Sequence, residues 1–448
     1  MKIKDLPKVD RPREKFLREG ASAVSKGDLL AIVLGTGIKG KNVQVLAKQI
    51  IQKFGENFLN ITLEDLRKIS GIGQAKALQI VAAISLVKRF YESERMKNQN
   101  ALPFQPHLKD GIKGMCFQLQ NRRYIGSKYK LLDWIFSIIA QECKGDSFTD
   151  IFAGTGVVSA FAATHFPRII LNDFLHSNYA VYRAFFGKDE WNAEKISTAI
   201  KTYNLLNGKD LKENYFSKNF GRRYFSNNSA KVIGFVREDV EKSKSNFTER
   251  EYYILLASLL YAIDKIANTV GHYDAYFKKD FMDDNFAMRL ISPVESSDVA
   301  IFREDANLLV KRIKTDIVYI DPPYNSRQYS RFYHLLETLT KWDMPKLHGV
   351  ALKPEAENMS DYCRSNARNR LKELVRDIDA RYLVVSYNNT YDSKSNSSQN
   401  KITLEDIEDI LNSRGKTKIF EKDHRYFNAG NTDFDNHKEY LFVTKANV

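Results

Sequence analysis

Up to about position 90, apolar residues return every three or four positions with polar ones between them, the period of short amphipathic helices. "VQVLAKQIIQKFG" is the clearest case, and Gly55 at its end is a natural helix stop. Thr62, with Glu64 and Asp65 behind it, marks another helix start, and "SGIG" at 70–73 separates that helix from one expected to run to about Arg95. Then the periodicity lapses. Met96 to Gly111, "MKNQNALPFQPHLKDG", is polar, carries two prolines and reads as a linker. From about Arg122 the pattern changes to short apolar runs, Gly-rich turns and helices in alternation. That predicts an α/β domain around a mostly parallel sheet. The expected organisation is a small all-α domain at 1–95, a linker at 96–115 and an α/β domain at 116–448.

Composition changes this picture in few places. The 448 residues are 43% hydrophobic, as in a soluble globular chain, and no apolar run is long enough to span a bilayer. "MKIKDLPKVDRPREK" lacks the apolar core of a signal peptide, and Cys116, Cys143 and Cys363 are scattered without metal-ligand spacing. A cytoplasmic protein with no disulfide framework and no metal is expected. The formal net charge of +14 suits a polyanionic partner, most simply nucleic acid.

The chemistry concentrates in three places. In "DIVYIDPPYNSRQY" the apolar run Ile317–Ile320 stops at Asp321, and its carboxyl end is where α/β folds place their ligands. Pro322 and Pro323 remove two backbone donors, so nearby carbonyls are left as acceptors beside the acid. Two acceptors suit an exocyclic amine with its two donors, and the ring of Tyr324 can stack on the base that carries it. Earlier, "FTDIFAGTGVVSAFAA" reads as a strand from Phe148 to Phe152, a tight turn with Gly154 and Gly156, and a helix from Val157. The next strand, "RIILND", ends with Asp173, placed to bond a ribose. Strand, turn and acid fit nicotinamide dinucleotides, flavins or S-adenosyl-L-methionine, but the third glycine of the dinucleotide fingerprint is absent. Lastly, "SGIG" offers Gly71, Gly73 and a nearby Lys76 at a helix N-terminus, where free backbone amides can hold a phosphate without reading sequence.

Two resemblances follow from these residues. The order of Tyr124-Ile125-Gly126-Ser127-Lys128, then Phe152-Ala153-Gly154-Thr155-Gly156, then Asp321-Pro322-Pro323-Tyr324 resembles the Dam-like, alpha-group adenine-specific DNA methyltransferases over roughly residues 120–395. Residues 8 to 90, including "DRPREKFLREGASAVSKGDLLAIVLGTGIKGKNVQVLAKQIIQKFG", resemble the N-terminal domain of RadC-family proteins. The His-x-His metal-binding domain that follows in RadC proteins has no match here.

The first resemblance implies a Rossmann-like domain that uses S-adenosyl-L-methionine, with a helical target recognition insertion at about 180–300. It implies that Tyr124 and Lys128 flank the methionine part of the cofactor, Lys128 near its carboxylate. Phe152, Gly154 and Gly156 would line the cofactor, Asp173 would hold its ribose and Asp305 would contact its adenine. Asp321, Pro322 and Tyr324 would hold an adenine flipped out of double-stranded DNA. Within the insertion, "NYFSKNFGRRYFSNNSAKVIGF" and "NTVGHYDAYFKKDF" interleave basic and aromatic residues. Arg222, Arg223, Lys278 and Lys279 are candidates for DNA contacts there, with Arg327 after the clamp. His272 reads as structural or DNA-contacting rather than catalytic. The expected protein is a monomeric methyltransferase, the modification enzyme of a restriction-modification system with a cognate endonuclease as partner. An RNA adenine methyltransferase, or a DNA-binding protein with a non-catalytic methyltransferase fold, stays open.

Overall fold

The apolar runs that end in acids become strands of one sheet. The structure, a computed structural model, describes residues 11–19, 24–37, 41–54, 58, 61–69, 72–97, 116–278, 284–294, 298–324, 326–389, 400–423 and 437–447. Seven strands are present among them: β1 Ser147–Asp150, β2 Arg168–Asn172, β3 Asp298–Phe302, β4 Lys314–Ile320, β5 Asp379–Asn388, β6 Thr417–Asp423 and β7 Lys438–Lys445. Their order is β3-β2-β1-β4-β5-β7-β6. The first five in that order are parallel, and β7 runs antiparallel between β5 and β6.

Helices cover both faces, which is why the run Ile317–Ile320 before Asp321 is apolar at successive positions. Ile317 and Tyr319 face one core with Phe136, Phe148 and Phe161, while Val318 and Ile320 face the other with Leu371, Leu383 and Ile407. The helices Leu132–Glu142, Val157–Ala162 and His176–Phe186 pack on the first face, and Ala367–Asp377 and Leu404–Asn412 on the second. β4 starts earlier than the apolar run suggests, because Lys314 and Thr315 already pair with Asp379 and Ala380. β2 and β3 lie on one side of β1, and β4 and β5 on the other. The chain therefore changes direction across the sheet between β1 and β4, and a crevice opens at the carboxyl ends of those strands.

Between β2 and β3 lies a helical segment with Ala193–Asn204, Tyr215–Phe220, Asn227–Lys242 and Glu249–Ile266. Its last helix opens on a capping box, Thr248 with Glu251. The aromatic residues interleaved with its basic ones are core: Phe216, Phe220, Tyr224, Phe225 and Tyr273 are fully buried.

The chain divides into two compact units, Met1–Pro103 and Phe104–Val448. The first is helical: Pro12–Glu19, Lys26–Leu34, Val43–Phe54, Leu63–Arg67 and Gln74–Lys97. Thr62 caps its fourth helix reciprocally with Asp65. Leu30, Leu46, Ile50, Leu66, Ile69 and Ile80 form its core, each buried aliphatic contributing roughly 1.5–3 kcal/mol. Gly55 and Gly71 lie outside the described residues. Among the described residues, no helix is long and apolar enough to cross a membrane.

Candidate active site

The crevice holds about 1000 Å³ of space, continuous with solvent. Tyr124, Lys128, Phe152, Gly154, Asp173, Asp305, Asp321, Pro322 and Tyr324 all line it, together with Asp150, which the sequence motifs do not single out. One wall is aromatic. Tyr124 stacks on Tyr333 with centroids 4.7 Å apart and on Tyr329 at 5.4 Å, and Asn178 donates to its hydroxyl.

The turn after β1 brings its backbone against this wall. Gly154 has φ +53°, and a β-carbon there would lie 3.3 Å from Tyr124. Asp173 fixes the turn from the end of β2: its carboxylate accepts the Gly154 N–H at 3.0 Å and the Leu175 N–H at 2.9 Å. Burial raises the proton affinity of Asp173, and those N–H groups work against it. Each oxygen keeps acceptor capacity beyond these bonds.

Asp150, at the end of β1, is a buried acid with one oxygen spare. Oδ2 accepts from Ser159 Oγ at 2.7 Å, and Oδ1 has no partner among the described residues. Burial pushes its carboxyl up to about 8. An orphaned buried carboxylate oxygen in the cleft suits a cationic ligand, which would restore its charge. Together with the hydroxyl-binding capacity of Asp173, the residues present fit S-adenosyl-L-methionine, whose amino acid end carries an ammonium and whose ribose carries hydroxyls.

The clamp residues form a closed cluster. Asp321 follows the last residue of β4, and Tyr324 turns back so that its hydroxyl donates to Asp321 Oδ1. Lys128 Nζ contacts the same hydroxyl and lies 3.2 Å from Asp321 Oδ1. It lies nearer still, 2.9 Å, to Oε1 of Glu439, a buried acid on β7 that accepts from Ser386 Oγ at 3.0 Å. Burial opposes the charge of Lys128, and the two carboxylates more than compensate. Asp321 is pushed up to about 6: burial raises it, Lys128 lowers it and Glu439 raises it again. Tyr387 holds the Tyr324 ring edge-on at 4.8 Å. So the ammonium expected beside a cofactor carboxylate has two carboxylates of the chain itself. The sequence did carry a signal for Glu439: in β7 it alternates with the buried Leu441 and Val443, an acid at an inward position.

Other expected residues are placed differently. Gly156 does not line the cleft; it starts the helix at φ +79°, with Tyr182 3.2 Å and Leu119 3.6 Å from where a β-carbon would be. Asp305 lines the cleft and caps the short helix behind it, while Arg370 Nη2 holds both its oxygens at 3.1 and 3.3 Å. Arg222, Arg223 and Lys278 are exposed, Arg222 in a turn with φ +62°. Lys279 lies outside the described residues. Arg327 stacks over Phe332, 5.7 Å from the centroid, and His272 stacks on the same ring. In the front unit, Gly73 has open space where a β-carbon would be, and Lys76 donates to the carbonyl and hydroxyl of Thr36. Away from the crevice, His176, Glu337 and Glu357 bring potential ligand atoms within 4.8 Å of one another. There Glu337 accepts the His176 and Ser177 N–H groups, and Glu357 is paired with Lys341.

Comparison with known proteins agrees with this geometry. Residues 124–426 match the family described as D12 class N6 adenine-specific DNA methyltransferases, and residues 3–78 match the UPF0758 N-terminal family. The chain is similar to the type II methyltransferase M.NlaIII of Neisseria lactamica, 32% identical over 341 residues, or 71% of this chain and 98% of that one. It is equally similar to M.CviAII of Paramecium bursaria Chlorella virus 1, 32% identical over 71% of this chain and 97% of that one. The front domain is 50% identical over 92 residues to a UPF0758 protein of Clostridium kluyveri, covering 20% of this chain and 40% of that one.

Proposed function

Because the chain belongs to the D12 class of N6 adenine-specific DNA methyltransferases, with a UPF0758-type, RadC-like domain in front, we propose that it methylates adenine within a specific DNA sequence from S-adenosyl-L-methionine bound in the β1/β4 crevice. When bound, that cofactor supplies a methyl group already activated by its sulfonium. Tyr124, Phe152, Gly154, Asp150, Asp173 and Asp305 hold it. Asp321 and the Pro322 carbonyl accept the two hydrogens of the target amine.

The amine of adenine is a poor nucleophile because its lone pair is delocalised into the ring. Two acceptors draw it toward tetrahedral geometry and stabilise the positive charge that develops on nitrogen. Positioning in the crevice contributes much of the remainder. A base inside a duplex is out of reach, so the adenine is flipped out, and the Tyr324 ring replaces lost stacking. The Tyr324 hydroxyl occupies Asp321 Oδ1 in this structure, so it has to give way as the amine arrives. The exposed Arg222, Arg223 and Lys278 of the helical insertion meet the DNA, and the amides at Gly73 meet a phosphate. The enzyme works in the cytoplasm as a monomer, as the modification partner of a restriction endonuclease.

The single observation that carries this reading is that Asp321 and the orphaned Asp150 oxygen line one crevice, an amine acceptor beside a seat for a cation. Asp321→Ala is the test. Transfer of radiolabelled methyl to DNA should be abolished while calorimetry shows cofactor binding intact, and near-normal turnover would overturn the assignment.

A further inference from the structure

Glu439 has no part in the function proposed so far, yet it sits behind the crevice lining, directly against Lys128. It is buried on β7, opposite Asn388 of β5. Its Oε1 is 2.9 Å from Lys128 Nζ, 3.0 Å from Ser386 Oγ and 3.5 Å from the Tyr324 hydroxyl. Lys128 is 3.2 Å from Asp321, so one buried ammonium is shared by two buried carboxylates. A buried ion pair is expensive unless further hydrogen bonds satisfy it, and a third buried charge adds to the cost. Lys128 and Asp321 alone would make a neutral pair. Glu439 leaves the cluster with one negative charge in excess, next to the atom that meets the amine.

We propose that Glu439 is a positioning residue: by sharing the Lys128 ammonium with Asp321, it keeps Asp321 basic enough to receive the proton that methylation removes from the amine. This rests on the role of Asp321 given above. The amine nitrogen forms a bond to the methyl carbon as the carbon–sulfur bond breaks, with that bond's electron pair staying on sulfur. The nitrogen is then cationic and gives one of its two protons to Asp321. Asp321 becomes neutral, and Lys128 and Glu439 remain as a neutral pair. Solvent takes the proton from Asp321 when the methylated base leaves.

Among the described residues, these charged or titratable groups against Asp321 enter this balance. Lys128 comes from the turn before the helix Leu132–Glu142, Glu439 from β7, Tyr319 from β4, Asp150 from β1 and Tyr324 from the clamp itself. Of these, Lys128 and the Tyr324 hydrogen bond favour the ionised carboxylate, whereas burial and Glu439 disfavour it. Without the charge of Glu439, Lys128 pairs with Asp321 alone and the carboxylate becomes a weaker base.

The test is the pH dependence of single-turnover DNA methylation by the full-length wild type, Glu439→Gln and Glu439→Asp. Transfer needs Asp321 ionised, so the rate falls as pH drops through its titration. In Glu439→Gln that acid limb should move down by about one pH unit or more, a tenfold loss of proton affinity. Glu439→Asp keeps the charge and should stay closer to wild type. A folded Glu439→Gln whose acid limb is unmoved overturns the proposal. Should Glu439→Gln fail to fold, infrared titration of the ligand-free wild type and Glu439→Asp decides. A carboxyl band that is missing from Asp321→Asn and titrates at lower pH in Glu439→Asp, whose shorter side chain holds its charge farther from Lys128, supports the proposal, and the same titration in Glu439→Asp and wild type overturns it. An active Asp321→Ala enzyme would instead sink the role of Asp321 itself.

Discussion

Replacing Asp173 by alanine removes two kinds of bond at once, and the structure lets them be separated. In the ligand-free protein the carboxylate accepts the Gly154 and Leu175 N–H groups at 3.0 and 2.9 Å. Losing it leaves two donors in a buried turn, each costing roughly 1–3 kcal/mol. Relief of a buried carboxylate offsets part of this, since burial already raises the proton affinity of Asp173. A melting temperature lower by a few degrees is expected without ligand. On top of that come the bonds to ribose hydroxyls, about 1.5–3 kcal/mol for hydrogen bonds to a charged group, or roughly 10- to 150-fold in affinity. Calorimetry with S-adenosyl-L-methionine and with an analogue lacking a ribose hydroxyl separates the two. Wild type should bind the analogue more weakly, whereas Asp173→Ala should bind both ligands equally. If the variant still prefers the natural cofactor by the full wild-type factor, Asp173 acts only on the turn and the ribose assignment is wrong.

Asp150→Asn should change stability with pH. The folded-state pKa, about 8, lies above the unfolded value, so the protonated acid stabilises the fold at low pH and that contribution is lost as pH rises toward 8. The melting temperature of Asp150→Asn relative to wild type, in ligand-free protein, should therefore climb between pH 5 and pH 8.5, and a difference independent of pH would refute the unpaired-acid argument. A chain beginning at Phe104 should keep the methylated sequence, bind DNA more weakly and lose affinity less steeply with salt, by about 0.9 in slope for each phosphate the front domain no longer neutralises. A changed methylation sequence would mean that the front domain reads bases, and an unchanged affinity and slope that it docks a protein.

What is legible in the sequence is what local chemistry dictates. Asp321 and Asp173 can be placed because an acid at the end of an apolar run falls at the carboxyl edge of a parallel sheet, whereas Asp150 is missed because the strand, read as Phe148–Phe152, ends at Asp150 itself. Gly154 is readable as a close approach. Gly156, two residues on, has the same left-handed backbone but faces Tyr182, and spacing cannot tell which side of a turn a glycine serves. Lys76 and Lys128 read as ligand-seeking charges, and the fold also gives each an internal partner that local sequence cannot reveal. The aromatic residues beside Arg222 and Arg223 are core, because a helical insertion of this size needs its own. β6 leaves little trace in the sequence because it lies at one edge of the sheet, largely exposed and with only Ile419 and Phe420 apolar; β3, at the other edge, has just the short, partly exposed run Val299–Phe302.

The position of β7 has a consequence for how the chain matures on the ribosome. Residues emerge at about 5–20 per second, and β6 emerges before β7, the strand it bonds to among the described residues. Until β7 follows, β5 is an open, apolar edge of the kind that recruits other chains. Over the same interval Lys128 has Asp321 but lacks Glu439. One strand's arrival ends all three conditions together. Sealing the nascent sheet against aggregation and completing the charge of the crevice are thus a single folding event.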